Sequence, residues 1–174
     1  MRVSVLLRDM DIAASPADER RIEVLAQGLP CKSGAQLAVD TTLRSVLTAR
    51  GDARPNAARQ DGAVANEARQ DKQDTYPELV ASERCVLIVL ALETGGRWSD
   101  EASKFVEELA AAKAREAPPR LRRSARLAWQ KRWIKLLSVA AARAFAQSLT
   151  APDECGPYTD TDGSCPSLGD VLAR

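Results

Sequence analysis

Three ionisable residues are placed where phosphodiester chemistry would need them. Glu23 lies in Arg21-Ile-Glu-Val-Leu-Ala-Gln27, Asp40 in Ala35-Gln-Leu-Ala-Val-Asp-Thr-Thr-Leu43, and Lys72 in Asn66-Glu-Ala-Arg-Gln-Asp-Lys-Gln-Asp-Thr-Tyr76. The first two segments read as strands and the third as a helix. Hard divalent cations take oxygen ligands, and Mg²⁺ is usually held by one or two carboxylates beside phosphate oxygens. Carboxylates on neighbouring strands would supply them. With a lysine close by, that is what a metal-dependent phosphodiesterase needs.

Each residue also has a plainer reading. Asp40 would be expensive to bury unpaired. It could instead sit on the solvated face of an edge strand, or pair with Arg21 across a hairpin. Glu23 alternates with apolar neighbours and would then face water. Lys72 could be one more solvated lysine on a polar helix. Its spacing with Ala65, Ala68 and Tyr76 puts all four on one face, so Lys72 and Tyr76 can reach the sheet together. Glu93 is a further candidate metal ligand. It ends an apolar run just before Gly95-Gly96, and ligands of open α/β sheets gather beyond the carboxyl ends of strands. Those glycines would admit a phosphate backbone, or would simply make a tight turn.

The candidate nucleic-acid contacts are Arg97, Arg122, Arg123, Arg126, Lys131 and Lys135. Between Pro118 and Leu149 there are eight Lys or Arg and no Asp or Glu, whereas five acids and one Arg follow Thr150. That asymmetry implies a basic face and an acidic tail. Each basic residue could neutralise a backbone phosphate. The plainer reading is an amphipathic helix with solvated charges, its Trp129 and Trp133 serving as core anchors.

These residues must be positioned by a small number of elements. Val3–Arg8 reads as a short strand, Arg21–Ala26 and Ala35–Leu47 as a hairpin, and Arg84–Leu92 as a central strand. The hairpin's apolar face would carry Ile22, Val24, Leu37 and Val39. A helix is expected over Asn56–Tyr76, interrupted by Gly62 and ended by Pro77. Ser99 is a good N-cap for a helix to about Glu116 that buries Ala102, Phe105, Val106 and Leu109. A last helix starts at Pro118-Pro119 and runs to about Leu149, with Leu121, Ala125, Trp129, Trp133, Leu136, Ala140 and Ala144 on one stripe. The order predicts an α/β or α+β domain over residues 1–149, with one mixed sheet flanked by helices, and a disordered acidic tail over 150–174.

The 174 residues contain no histidine, which removes Ser-His-Asp and Cys-His catalysis and His-ligated zinc. Cys31, Cys85, Cys155 and Cys165 form no C-x-x-C pair, and the first two are expected reduced in or near the core. No apolar stretch is long enough to span a membrane, and no signal peptide pattern opens the chain. An intracellular setting is the default. No small-molecule cofactor is implied, and nothing fixes the oligomeric state.

The ordered motifs Arg21-Ile-Glu-Val, Gly34-Ala-Gln-Leu-Ala-Val-Asp-Thr-Thr-Leu43, Lys72 with Tyr76-Pro-Glu-Leu79, and Leu87-Ile-Val-Leu-Ala-Leu-Glu-Thr-Gly-Gly-Arg-Trp-Ser99 resemble the carboxy-terminal segment of LINE-type retrotransposon reverse-transcriptase proteins. That segment resembles a restriction-endonuclease-like domain of the PD-(D/E)XK type. The resemblance covers roughly residues 3–149. It implies that Asp40 opens the Asp-x-Lys pair and binds Mg²⁺, that Glu23 is the upstream acid, and that Lys72 is the catalytic lysine, moved to the following helix. It further implies a nuclear, Mg²⁺-dependent endonuclease that nicks DNA to prime reverse transcription. The alternatives are a catalytically inactive nucleic-acid-binding remnant and a structural domain with no nucleic-acid role. Thr42 stands where an ordinary Asp-x-Lys has lysine, and neither a Tyr/Phe-x-Asp-Asp motif nor a cysteine-histidine knuckle is present.

Overall fold

A computed structural model describes residues 1–150. Its contacts divide the chain into two compact units, Met1–Gln130 and Lys131–Arg174. The expected acidic tail lies outside the described residues from position 151 onward.

The first unit is mixed α+β. Its strands are β1 (Arg2–Leu6), β2 (Arg21–Ala26), β3 (Gln36–Arg44) and β4 (Cys85–Glu93), and they form one sheet in that order. β1–β2 and β2–β3 pair antiparallel, whereas β3 and β4 pair parallel. A parallel neighbour requires a crossover. Here it is made by α1 (Ala63–Thr75) and the single turn α2 (Pro77–Val80). After β4 come α3 (Asp100–Ala114) and α4 (Arg122–Thr150). The second unit's described part is the continuation of α4 from Lys131.

The apolar side chains divide between the two faces of the sheet. Ile22, Leu25, Ala38, Leu87, Val89 and Ala91 join Ala65, Ala68, Tyr76 and Leu79 of the crossover helices. Ala26, Leu37, Val39, Ile88 and Leu90 join Ala102 and Phe105 of α3. β4 is apolar from Cys85 to Leu92 because helices cover both its faces, with each fully buried Leu, Ile or Val contributing about 1.5–3 kcal/mol. In hydrogen-bonded order it is the outermost strand, not a central one. An unbroken apolar run reports burial of both faces and says nothing of position along the ladder.

Other expectations shift in detail. β1 ends at Leu6 and gives way to a 3-10 turn, and β3 stops at Arg44 instead of Leu47. The hairpin's apolar face is not the simple alternation expected: Ile22 joins one cluster, while Val24 packs against the other with Leu37 and Val39. The phase reverses at Glu23, opposite Ser4, whose φ is +51°. A local irregularity of this kind moves side chains to the other face, as a register slip would. Helix α1 begins only at Ala63, because Gly62 takes a left-handed φ of +77° and breaks the expected longer helix. α3 matches its reading, with Ser99 Oγ accepting from the Ala102 N–H at 3.1 Å. On α4, Ala140 is buried, but Leu136 of the expected stripe is exposed and Trp129 and Trp133 are only half-buried; Leu121, which precedes the helix, is exposed too. Cys31 and Cys85 are free and buried, and burial pushes the Cys85 thiol up to about 11.

Candidate functional site

Asp40 is where the chain departs most from ordinary burial. It lies in the middle of β3, points with Ala38 toward the crossover helices, and is only 2% exposed. A buried carboxylate persists only with a partner. Lys72 supplies it, its Nζ lying 2.8 Å from Asp40 Oδ2. The two groups pair by charge and proximity, since Asp40 Oδ2 is buried and receives no hydrogen bond among the described residues. Arg21 is not the partner: its guanidinium donates to the carbonyl and hydroxyl of Ser4.

Lys72 reaches the sheet because of where α1 is tied down. Ala68, Lys72 and Tyr76 follow one another at four-residue steps, and the first and last are buried. Arg44 of β3 pairs with Asp71, the residue before Lys72. At the helix end the Tyr76 hydroxyl donates to the Arg21 carbonyl at 2.9 Å. Arg20 packs over the Tyr76 ring, donates to the Thr75 carbonyl and pairs with Asp18 and with Glu78 at 2.7 Å. Those bonds hold the Asp18 and Glu78 carboxyls below the ordinary range. Between them, these anchors fix the helix on either side of Lys72.

Glu23 joins the pair from β2. The residue is exposed, and its carboxylate is fixed by one neighbour. Thr41, next to Asp40 in sequence, donates both its N–H (3.1 Å) and its hydroxyl to Glu23 Oε2. The carboxylate thus occupies an acceptor position in the ladder beyond the Val24–Val39 pair. Desolvation pushes the Glu23 carboxyl up from its usual value. The Thr41 hydroxyl opposes that shift, the charge of Asp40 adds to it, and the Thr41 N–H and Lys72 again oppose it. Lys72 and Asp40 thus meet directly, and Glu23 is held by the residue next to Asp40.

Glu93 does not belong to it. Asp40 stands opposite Val89 and Glu93 opposite Arg44, four residues further along. At about 3.3 Å per residue that separates them by roughly 13 Å, too far to share one cation. Glu93 instead opens a tight turn, its main-chain carbonyl accepting from Gly96 N–H at 2.8 Å, with Gly96 at φ +88°. No atom lies close to where a Cβ at Gly95 or Gly96 would stand, so conformation accounts for Gly96 and close approach does not. Arg97 is exposed and pairs with Asp61 at 2.6 Å, with Glu93 3.9 Å away. Arg122 donates to the Ala117 carbonyl, Arg126 lies 3.7 Å from Glu107, and Arg123 is exposed. Lys131 and Lys135 are exposed on the second unit's part of α4.

Among the described residues no group of three or more His, Cys, Asp or Glu is arranged to hold a metal ion. Two carboxylates suffice for a Mg²⁺ that takes its remaining ligands from phosphate and water. The chemistry of this pair fits such an ion. Asp40 offers a buried carboxylate, its Oδ2 paired with Lys72 Nζ and without a hydrogen bond among the described residues, and the Glu23 carboxyl, raised first by desolvation and then by the charge of Asp40, would be eased by a cation. Thr41 was not legible as a site residue; its only sequence signal is adjacency to Asp40. Among the described residues no helix is long and apolar enough to cross a membrane. No protein-family profile matches the chain, and no curated protein matches it significantly.

Proposed function

We propose that residues 1–130 carry a restriction-endonuclease-like, Mg²⁺-dependent DNA nicking site of retrotransposon origin. The observation that carries this reading is the Asp40–Lys72 pair between a strand and the crossover helix, with Glu23 of the neighbouring strand held by Thr41 beside Asp40. The mixed sheet with its amino-terminal hairpin accords with it. When bound by Asp40 and Glu23, Mg²⁺ would act as a Lewis acid on the scissile phosphate. Thr41 fixes the Glu23 carboxylate for that task. Lys72 orients the attacking water and offsets the charge that builds on the phosphoryl oxygens. In the parent element such a nick supplies the 3′ hydroxyl for reverse transcription in the nucleus.

The test is Mg²⁺-dependent nicking of supercoiled plasmid by the 174-residue chain. Asp40→Ala and Lys72→Ala should each lower the rate about a hundredfold or more, the scale of losing one preorganised electrostatic group. Nicking that is indifferent to both substitutions, or to chelation, would refute the reading.

A second reading is a catalytically silent nucleic-acid-binding remnant. It is favoured by the Asp40–Lys72 ion pair itself, since structural pairs also bring such groups together. Salt-sensitive plasmid binding without nicking would establish it.

A further inference from the structure

The last turn of α3 and the first turns of α4 enclose an open recess of about 320 Å³ that plays no part in the carboxylate cluster. It is lined by Ala111, Ala114, Arg115, Arg122, Arg123 and Arg126. No acid lines it. The Arg126 guanidinium has Glu107 at a loose 3.7 Å. Among the described residues no carboxylate lies within ion-pairing distance of Arg115, Arg122 or Arg123. Elsewhere in the same unit Arg20, Arg44, Arg54, Arg69, Arg84 and Arg97 each have one.

Four like charges around one small hollow repel one another and cost stability unless an anion answers them. The first turn of α4 also contains no acid, so Arg122 and Arg123 stand against the helix dipole as well. Guanidinium groups present forked donors that match phosphate oxygens two at a time. Ala111 and Ala114, the other lining residues, carry no charge that would oppose a phosphate there.

We infer that this recess binds a backbone phosphate of nucleic acid, with Arg115 and Arg123 as its principal donors. The identity of the polymer rests on the DNA reading above; the anion chemistry does not. Both arginines are exposed, so their replacement leaves the core intact.

The experiment measures binding of a fluorescent duplex oligonucleotide to the whole chain, without Mg²⁺, across a salt series. Wild type is compared with Arg115→Gln/Arg123→Gln and with Arg50→Gln, which removes a charge from an exposed loop away from the recess. The double variant should lose about tenfold or more in affinity, and its slope of log K against log salt should shrink by about 1, for the one backbone phosphate no longer neutralised. Arg50→Gln should leave the slope close to wild type. Unchanged affinity and slope in the double variant overturn the inference. So does weakened binding of inorganic phosphate in the double variant with duplex binding intact, which would assign the recess to free anions. Because no cleavage is measured, failure of the nuclease reading leaves this result interpretable. Plasmid nicking by Asp40→Ala reports on that reading separately.

Discussion

Replacing Lys72 by Met keeps the stem and removes the charge, which strands Asp40. Asp40's side chain is 3% exposed and that of Lys72 24%. Removing one partner of a fully buried ion pair costs about 3–5 kcal/mol. Lys72 is partly solvated, so the lower end applies and Lys72→Met should destabilise by about 3 kcal/mol. Asp40→Asn strands only an ammonium that can turn toward water, and should cost about 1 kcal/mol. With both changes no charge is left buried, and the double variant should lose about 2 kcal/mol, not the sum of about 4, a coupling of about 2 kcal/mol. Urea unfolding followed by circular dichroism gives these differences as midpoint shifts at constant slope. The Lys72→Met melting temperature should fall by roughly 6–12 °C, at about 2–4 °C per kcal/mol for a chain of this size. Costs that add to within about 0.5 kcal/mol would mean that the two groups do not interact, and the account of the site would fail with them.

Three further outcomes follow from the same geometry. Because the Glu23 carboxyl is raised in the fold, its ionisation works against stability: the effect is absent below the ordinary carboxylate range and grows as pH rises through the folded value. Glu23→Gln should therefore gain on wild type in melts at pH 7 relative to pH 4, and millimolar Mg²⁺ should raise the melting temperature of wild type but not of the variant; equal Mg²⁺ responses would contradict the ligand assignment. Cys85, its thiol pushed up to about 11, should resist iodoacetamide at pH 8 until the chain is unfolded, as peptide mass mapping would show. Ser99→Ala removes the acceptor for the Ala102 N–H and should lower stability by about 1 kcal/mol in urea titrations without changing plasmid nicking.

The elements with strong local signals were legible. Arg21–Ala26 is β2 to the residue, and α3 begins at the cap that Ser99 announces. Lys72 and Tyr76 do reach the sheet together, as their spacing allows. Expectations failed where one residue's backbone overrode a periodicity, at Gly62 ahead of α1 and at Ser4 opposite Glu23. Glu93 was grouped with the other carboxylates because it ends a strand, but strand ends in sequence carry no register. Only the parallel pairing with β3 sets it roughly 13 Å from Asp40.

By itself, the sequence determined which residues could do chemistry and which chemistries were closed. The lack of histidine, an aspartate inside an apolar strand and a lysine on the core-facing stripe of a helix are properties of residue type and local period. The tertiary structure decided which of those groups meet. Asp40 takes Lys72 as its partner and not Arg21, Thr41 claims Glu23, and four arginines distant from the carboxylates gather around one hollow. Such meetings depend on the crossover that lays α1 against β3 and on the turn that brings the start of α4 beside the end of α3. Contacts across tens of residues have no local pattern to announce them, because they are set by burial of both sheet faces at once.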